Sequence, residues 1–277
     1  MSSTLPPPPP GFRIRLTDTG SGGLNPLHVY RLAISYMNSI SWTSWHAPCT
    51  AKGQQWTRDT ASLHLTDLSR PLQTTLENGL VLLGLYNGLV AMSDPAHYFQ
   101  ASLIELLLHD QPIGNILISN SATVSDDDDG GSNGTLLALA ADSGTWVDPH
   151  LGRITLDYTW RPPRVARDDV FTALMQAIIM VSYGGTGQPF DWLNAASASG
   201  HAALNIRKPG PVHSPSSTPA LTVATLCAVL ADFVIEQDRF EGLEFGMEIY
   251  RYGERVRPLE GYIRALRPPP GGDVART

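Results

Sequence analysis

Read for its apolar positions alone, the chain switches repeatedly between two periods. Residues 12–16 (FRIRL) and 154–158 (ITLDY) alternate apolar and polar side chains, the pattern of a half-buried strand. Residues 26–41 and 168–182 bring apolar positions back three and four residues apart, which predicts helices. Asn25 and Pro26 supply a start for the first helix, and Arg167, Asp168 and Asp169 for the second. Short strands are expected at 61–65 and 202–206, second helices at 76–93 and 220–237, and closing hairpins at 101–109 with 114–118 and 243–250 with 261–265.

These elements fall into register when the chain is slid against itself by 141 positions, which aligns 29–110 with 170–251 without a gap. Identity across that alignment is slight, but the apolar phase is kept. Leu63 and Leu65 fall on Leu204 and Ile206; Leu80, Leu85 and Leu89 fall on Leu221, Leu226 and Leu230; Ile104, Leu106 and Leu108 fall on Phe245, Met247 and Ile249. The pattern predicts an α+β protein formed by tandem duplication of a β-α-β-α-β-β unit, with a mixed or antiparallel sheet and helices on one face of each unit. Gly79, Gly84 and Gly88 weaken the helix at 76–93, each by about 1 kcal/mol relative to alanine. The glycine-free partner segment at 220–237 decides for helix, and the glycines are then expected to let another backbone come close.

Low-complexity stretches punctuate the chain. Residues 1–10 form a proline-rich lead-in and 267–277 a Pro- and Gly-rich tail, both expected to be disordered. Residues 119–152 form an acidic loop and linker that contains Asp126–Asp129, between a first repeat at 11–118 and a second at 153–266. The 277 residues are 42% hydrophobic and only 16% charged, enough to bury a sizeable core. Nineteen Lys and Arg against 26 Asp and Glu leave a net charge of −7, which disfavours a nucleic-acid partner. No apolar run reaches membrane-spanning length and the start has no secretory pattern, so no membrane association and an intracellular, cytoplasmic setting are expected. Cys49 and Cys227 are too few for a disulfide framework.

The order of elements resembles the chorismate-mutase-like and deaminating-imine-hydrolase-like α+β folds, a resemblance of topology that implies ligands held between units and carries over no site residue. The run from an amphipathic helix through Glu236-Gln237-Asp238-Arg239-Phe240 into a hairpin resembles uncharacterised proteins of filamentous fungi, which implies no known activity.

Strong catalytic signatures are missing. Gly184-Gly185-Thr186-Gly187 follows a helix and lacks the Gly-Lys-Ser/Thr ending of a phosphate loop, and Asp126–Asp129 lacks the spaced ligands and closing glutamate of a calcium loop. No metal site and no cofactor is expected. Three of the six tryptophans, Trp42, Trp45 and Trp56, lie together with His46 and Cys49, and the matched stretch of the second repeat carries Tyr183, Phe190, Asp191 and Trp192. Two such loops could close one apolar pocket, with the six aromatics binding ligand, His46 carrying a proton and Asp191 opposite it. Alternatively the loops cover the sheet ends or bury against each other. Ser125, followed by four aspartates, fits acid-directed phosphorylation.

Two classes of function fit this sequence. One is a non-catalytic binding or assembly protein, built as a pseudo-dimer, that takes a small apolar ligand or a protein partner. The other is a small-molecule isomerase, cyclase or lyase that folds an apolar metabolite in a pocket between the repeats.

Overall fold

A computed structural model describes residues 5–51, 53–69, 75–121, 141–150, 153–185, 189–209, 218–251 and 254–266. The elements run β1 (Phe12–Gly23), α1 (Pro26–Ile40), β2 (Gln55–Arg58), β3 (Ala61–Asp67), α2 (Asn78–Met92), β4 (Gln100–Leu108) and β5 (Gln111–Asn120). Then follow β6 (Ser143–Val147), β7 (Ile154–Arg164), α3 (Arg167–Gly184), β8 (Pro189–Phe190), β9 (Trp192–Ala196), β10 (Ala202–Arg207), β11 (Thr218–Pro219), α4 (Ala220–Gln237), β12 (Glu241–Arg251) and β13 (Glu254–Ala265). The protein is α+β. One sheet has the strand order β1-β4-β5-β3-β2, the other β6-β7-β12-β13-β10-β9, and β8 pairs with β11. Among the described residues every strand pairing is antiparallel.

Each half contains a strand that the apolar pattern did not predict. β2 and β9 precede the expected short strands β3 and β10 and pair with them at the sheet edges. β6, inside the segment read as linker, adds a further edge beside β7. At the amino-terminal end, Leu5 packs against the core and Pro6 is buried. Residues 1–4 and 267–277 lie outside the described residues, as do Ser125 and Asp126–Asp129.

The helices fill the space between the two sheets. α2 and α3 bury residues on all sides, and a helix that is apolar all round must be enclosed. α1 and α2 rest on the first sheet and α3 on the second, and the helix layers meet where α1 packs on α4 and α2 on α3. Tyr30 of α1 stacks on Phe171 of α3, with centroids 4.7 Å apart. Phe233 of α4 stacks on Trp160 of β7 at 5.4 Å and touches Trp146 of β6. Asn25 caps α1 as its sequence suggests, its side chain accepting from the Leu27 amide, and Pro26 opens the first turn.

Since the inner face of each sheet is covered by helices, the outer faces and the junctions between the halves are the accessible surfaces. No helix among the described residues is long and apolar enough to cross a membrane.

Candidate functional site

Residues 41–49 leave α1 and fold back over the start of α2. The first amides of a helix have no partner within it, and here the loop supplies them. The Asn78 amide donates to the carbonyl of Ala47 at 3.0 Å and the Gly79 amide to that of Trp45 at 2.9 Å. The buried Asn78 side chain donates to Thr43 Oγ1 and to the Ser44 carbonyl. The Trp45 indole lies flat against Gly79, where a Cβ would stand 2.2 Å from its Cε2. No other residue type leaves room for that ring.

Held in this way, Trp45 meets Tyr183 from the last turn of α3 edge-on, with centroids 5.2 Å apart and planes at 85°. A ring from each half makes this contact. Trp45 is buried, whereas Tyr183 is 53% exposed and Trp42 is 56% exposed. Directly after Trp45 in sequence stands His46, whose Nδ1 lies 2.8 Å from Oε2 of Glu77, the residue that precedes α2. A carboxylate can only accept, so Nδ1–H donates and Nε2 is the ring nitrogen available for proton exchange. The His46 side chain is 74% exposed.

The remaining candidates lie elsewhere. Trp56 of β2 packs edge-on against Tyr36 in the core of the first half. Asp191 is exposed just before β9, where its carbonyl accepts from the Lys208 amide. Trp192 is 51% exposed on the outer side of β9, opposite Arg207. Phe190 pairs through its backbone with Thr218, and its side chain is outside the described residues. Cys49 is buried beside Tyr36, whose phenol is pushed up by burial and by that thiol, while His46 turns to Glu77.

A crevice of about 370 Å³ opens between the end of α2 and the start of α3, with Val90 and Ala166 on its apolar side and Asp168 and Asp169 on its polar side. Asp169 accepts from the Ser199 hydroxyl. None of the eight sequence-derived candidates lines it. Among the described residues, no group of three His, Cys, Asp or Glu side chains is arranged to hold a metal ion.

Sequence reasoning missed Glu77. It stands 31 positions from His46 at the head of a glycine-broken apolar run, and no spacing rule links the two. Comparison with protein-family models, with curated proteins and with solved structures finds no match for this chain.

Proposed function

We propose that this protein is a non-catalytic binding or assembly protein, a pseudo-dimer of two duplicated α+β units that takes a small apolar ligand or a protein partner at the aromatic junction. The observation that carries this reading is the exposure of Tyr183 at the Trp45–Tyr183 contact between the halves, with Trp42 exposed on the same loop as Trp45. Exposed aromatic surface costs about 25 cal/mol per Å² until it is covered, and Trp and Tyr dominate the binding energy of most interfaces. Duplication is supported by the order of elements, since β7-β12-β13-β10-β9 repeats β1-β4-β5-β3-β2 place for place. The two buried free thiols, Cys49 and Cys227, fit an intracellular setting.

The test compares wild type with Trp42→Ala/Tyr183→Ala in two measurements: binding of the apolar probe N-phenyl-1-naphthylamine and self-association by sedimentation velocity. The double variant is expected to lose whichever the wild type shows and to keep its melting temperature. If neither property depends on these two side chains, the reading fails.

The His46–Glu77 pair favours a second reading, an isomerase, cyclase or lyase whose proton carrier is His46. The two readings part on His46→Ala, which leaves ligand or partner binding intact under the first and abolishes turnover under the second.

A further inference from the structure

The registers of five antiparallel ladders place one residue from each strand of the second sheet in a single lateral row. Trp192 pairs with Arg207, Arg207 with Glu260, Glu260 with Gly246, Gly246 with Asp157, and Asp157 with Thr145. Paired residues of a ladder project to the same side. The neighbours in sequence, Leu259, Phe245 and Leu156, belong to the core, so this row faces outward. A glycine at its middle leaves a gap, and there the sheet carries a concavity of about 420 Å³. In the first sheet the position 141 residues before Gly246 is Glu105, whose side chain fills the corresponding place and accepts from Arg15 at 3.1 Å.

Ion pairs surround the concavity, each with at least one member in its lining, among Asp157, Arg207, Glu244, Arg257 and Glu260. Arg257 lies over Gly246, with its Cζ 3.0 Å from where a Cβ would be, and donates to Asp157 and to Glu248. Arg207 donates through Nε to Glu260 at 2.9 Å. Arg161 donates through Nε and Nη2 to Glu244 at 3.1 and 2.9 Å. The Thr145 hydroxyl donates to Asp157 at 2.8 Å. Two aromatics flank this polar ground. Trp192 stands half-exposed beside Arg207, and Tyr262 lines the concavity with the Arg264 guanidinium stacked 5.1 Å from its centroid.

The chemistry of this surface selects against an ionic ligand. Four arginines and four carboxylates cancel, so an anion meets the carboxylates and a cation meets the arginines. What remains is the repeated side-by-side placement of a fixed N–H donor and a fixed oxygen acceptor. A guanidinium carries five N–H groups and a carboxylate about four lone-pair sites, so each pair keeps capacity beyond the bond it already makes. A hydroxyl group, which donates and accepts at once, satisfies such a pair. An aromatic face beside it takes the C–H side of a polyhydroxylated ring. We propose that the Gly246 concavity, on the outer face of the second sheet, is a binding site for neutral oligosaccharides, separate from the aromatic junction.

The test is isothermal titration of the full chain with cellohexaose, laminarihexaose, maltohexaose and chitohexaose, and with an alternating Lys–Glu decapeptide. At least one oligosaccharide is expected to bind with a Kd below about 5 mM and little dependence on salt, and the peptide is not. Tyr262→Ala and Arg207→Met should each weaken that binding about ten-fold or more. Gly246→Thr, which fills the floor with a strand-favouring side chain, should abolish it. Circular dichroism and melting temperature report whether each variant folds, and if Gly246→Thr does not, the other two carry the test. Trp42→Ala/Tyr183→Ala should leave saccharide binding unchanged, which separates this site from the junction. The inference is overturned if none of the four sugars binds, if binding is indifferent to Tyr262 and Arg207, or if the charged peptide binds instead with strong salt dependence.

Discussion

Arg31 of α1 donates through Nε to Oδ1 of Asp232 in α4 at 2.8 Å, a bond that ties the first half of the molecule to the second. Arg58 of β2 takes the other carboxylate oxygen at 2.9 Å. Asp232 is only 6% exposed, and Asp59 and Glu236 stand 3.5 and 3.6 Å from the same Arg31 guanidinium. Burial works against the Arg31 charge, but the hydrogen bond and charge of Asp232, with Asp59 and Glu236, outweigh it and hold Arg31 above its ordinary range.

Removing the shared carboxylate would leave two partly buried guanidiniums without it, Arg31 keeping only the longer contacts to Asp59 and Glu236. Asp232→Ala is therefore expected to destabilise the fold by about 3–5 kcal/mol, the usual consequence of breaking a buried pair from one side. Arg58→Ala, which leaves Arg31 on Asp232, should cost clearly less. Urea denaturation of both variants measures the difference, and a loss below about 1 kcal/mol for Asp232→Ala would show that α1 and α4 hold together without this bridge.

The contact between Gly79 and Trp45 makes the second expectation. Alanine usually improves on glycine in a helix by up to about 1 kcal/mol. Here its Cβ would lie 2.2 Å from the Trp45 ring, so Gly79→Ala should instead destabilise by about 1–3 kcal/mol. In a Trp45→Ala background the same substitution should become neutral or favourable. A double-mutant cycle by thermal denaturation checks the change of sign, and additive effects would mean the ring does not depend on this glycine.

The glycines of α2 also mark where the sequence could be read and where it could not. The helix itself was legible through its partner α4, but a backbone was expected beside the glycines and side chains fill the space instead. Leu106 would stand 2.2 Å from a Cβ at Gly84, and Ile104 would stand 2.3 Å from one at Gly88. Helices and central strands were legible because their apolar phase is dictated by burial. β2 and β6 were not, since QWTR and SGTWV are short edge segments with most side chains exposed or half-buried. At the junction, Trp45 and His46 stood out by composition, whereas Glu77 reaches His46 only through the fold of the loop. The Gly246 row was beyond reach for a different reason: it depends on the register of five separate ladders, and no local pattern encodes that.

Two glycines of the second sheet, close in space, should respond very unequally to a methyl group. A Cβ on Gly261 would meet the Asn205 carbonyl oxygen at 2.1 Å and Phe245 Cζ at 2.9 Å, and a strand backbone in mid-sheet cannot retreat. The atoms nearest a Cβ on Gly246 are those of the Arg257 tip, at 3.0 Å and beyond, a side-chain end that can give by tenths of an ångström and keep its ion pairs. Gly261→Ala is expected to cost about 3 kcal/mol and Gly246→Ala less than about 1 kcal/mol. Melting temperatures of the two variants decide it, and equal losses would contradict the assigned register of β13 on β10.

Alkaline pH should unfold the protein more steeply than its surface charge alone would require. Burial first, and then the charge of Asp168, pushes the Tyr30 phenol far above its ordinary value of 10.0. Burial, with Cys49 beside it, does the same to Tyr36. Burial alone raises Tyr86 from 10.0 and the Cys227 thiol from 9.0. Each group keeps its proton in the folded chain at a pH where the unfolded chain has released it, so the folded state binds more protons. The stability these groups contribute is complete below about pH 9, and it falls as the pH climbs past their unfolded values toward the folded ones. The limiting slope is about 1.4 kcal/mol per pH unit for each group. Urea midpoints measured between pH 8 and about pH 11 should therefore fall with a slope that Tyr30→Phe/Tyr36→Phe makes shallower by two such groups. The double variant, weaker or not at neutral pH, should lose less stability than wild type over that interval. Identical pH slopes in the two proteins would mean that these phenols ionise in the folded chain as they do in water.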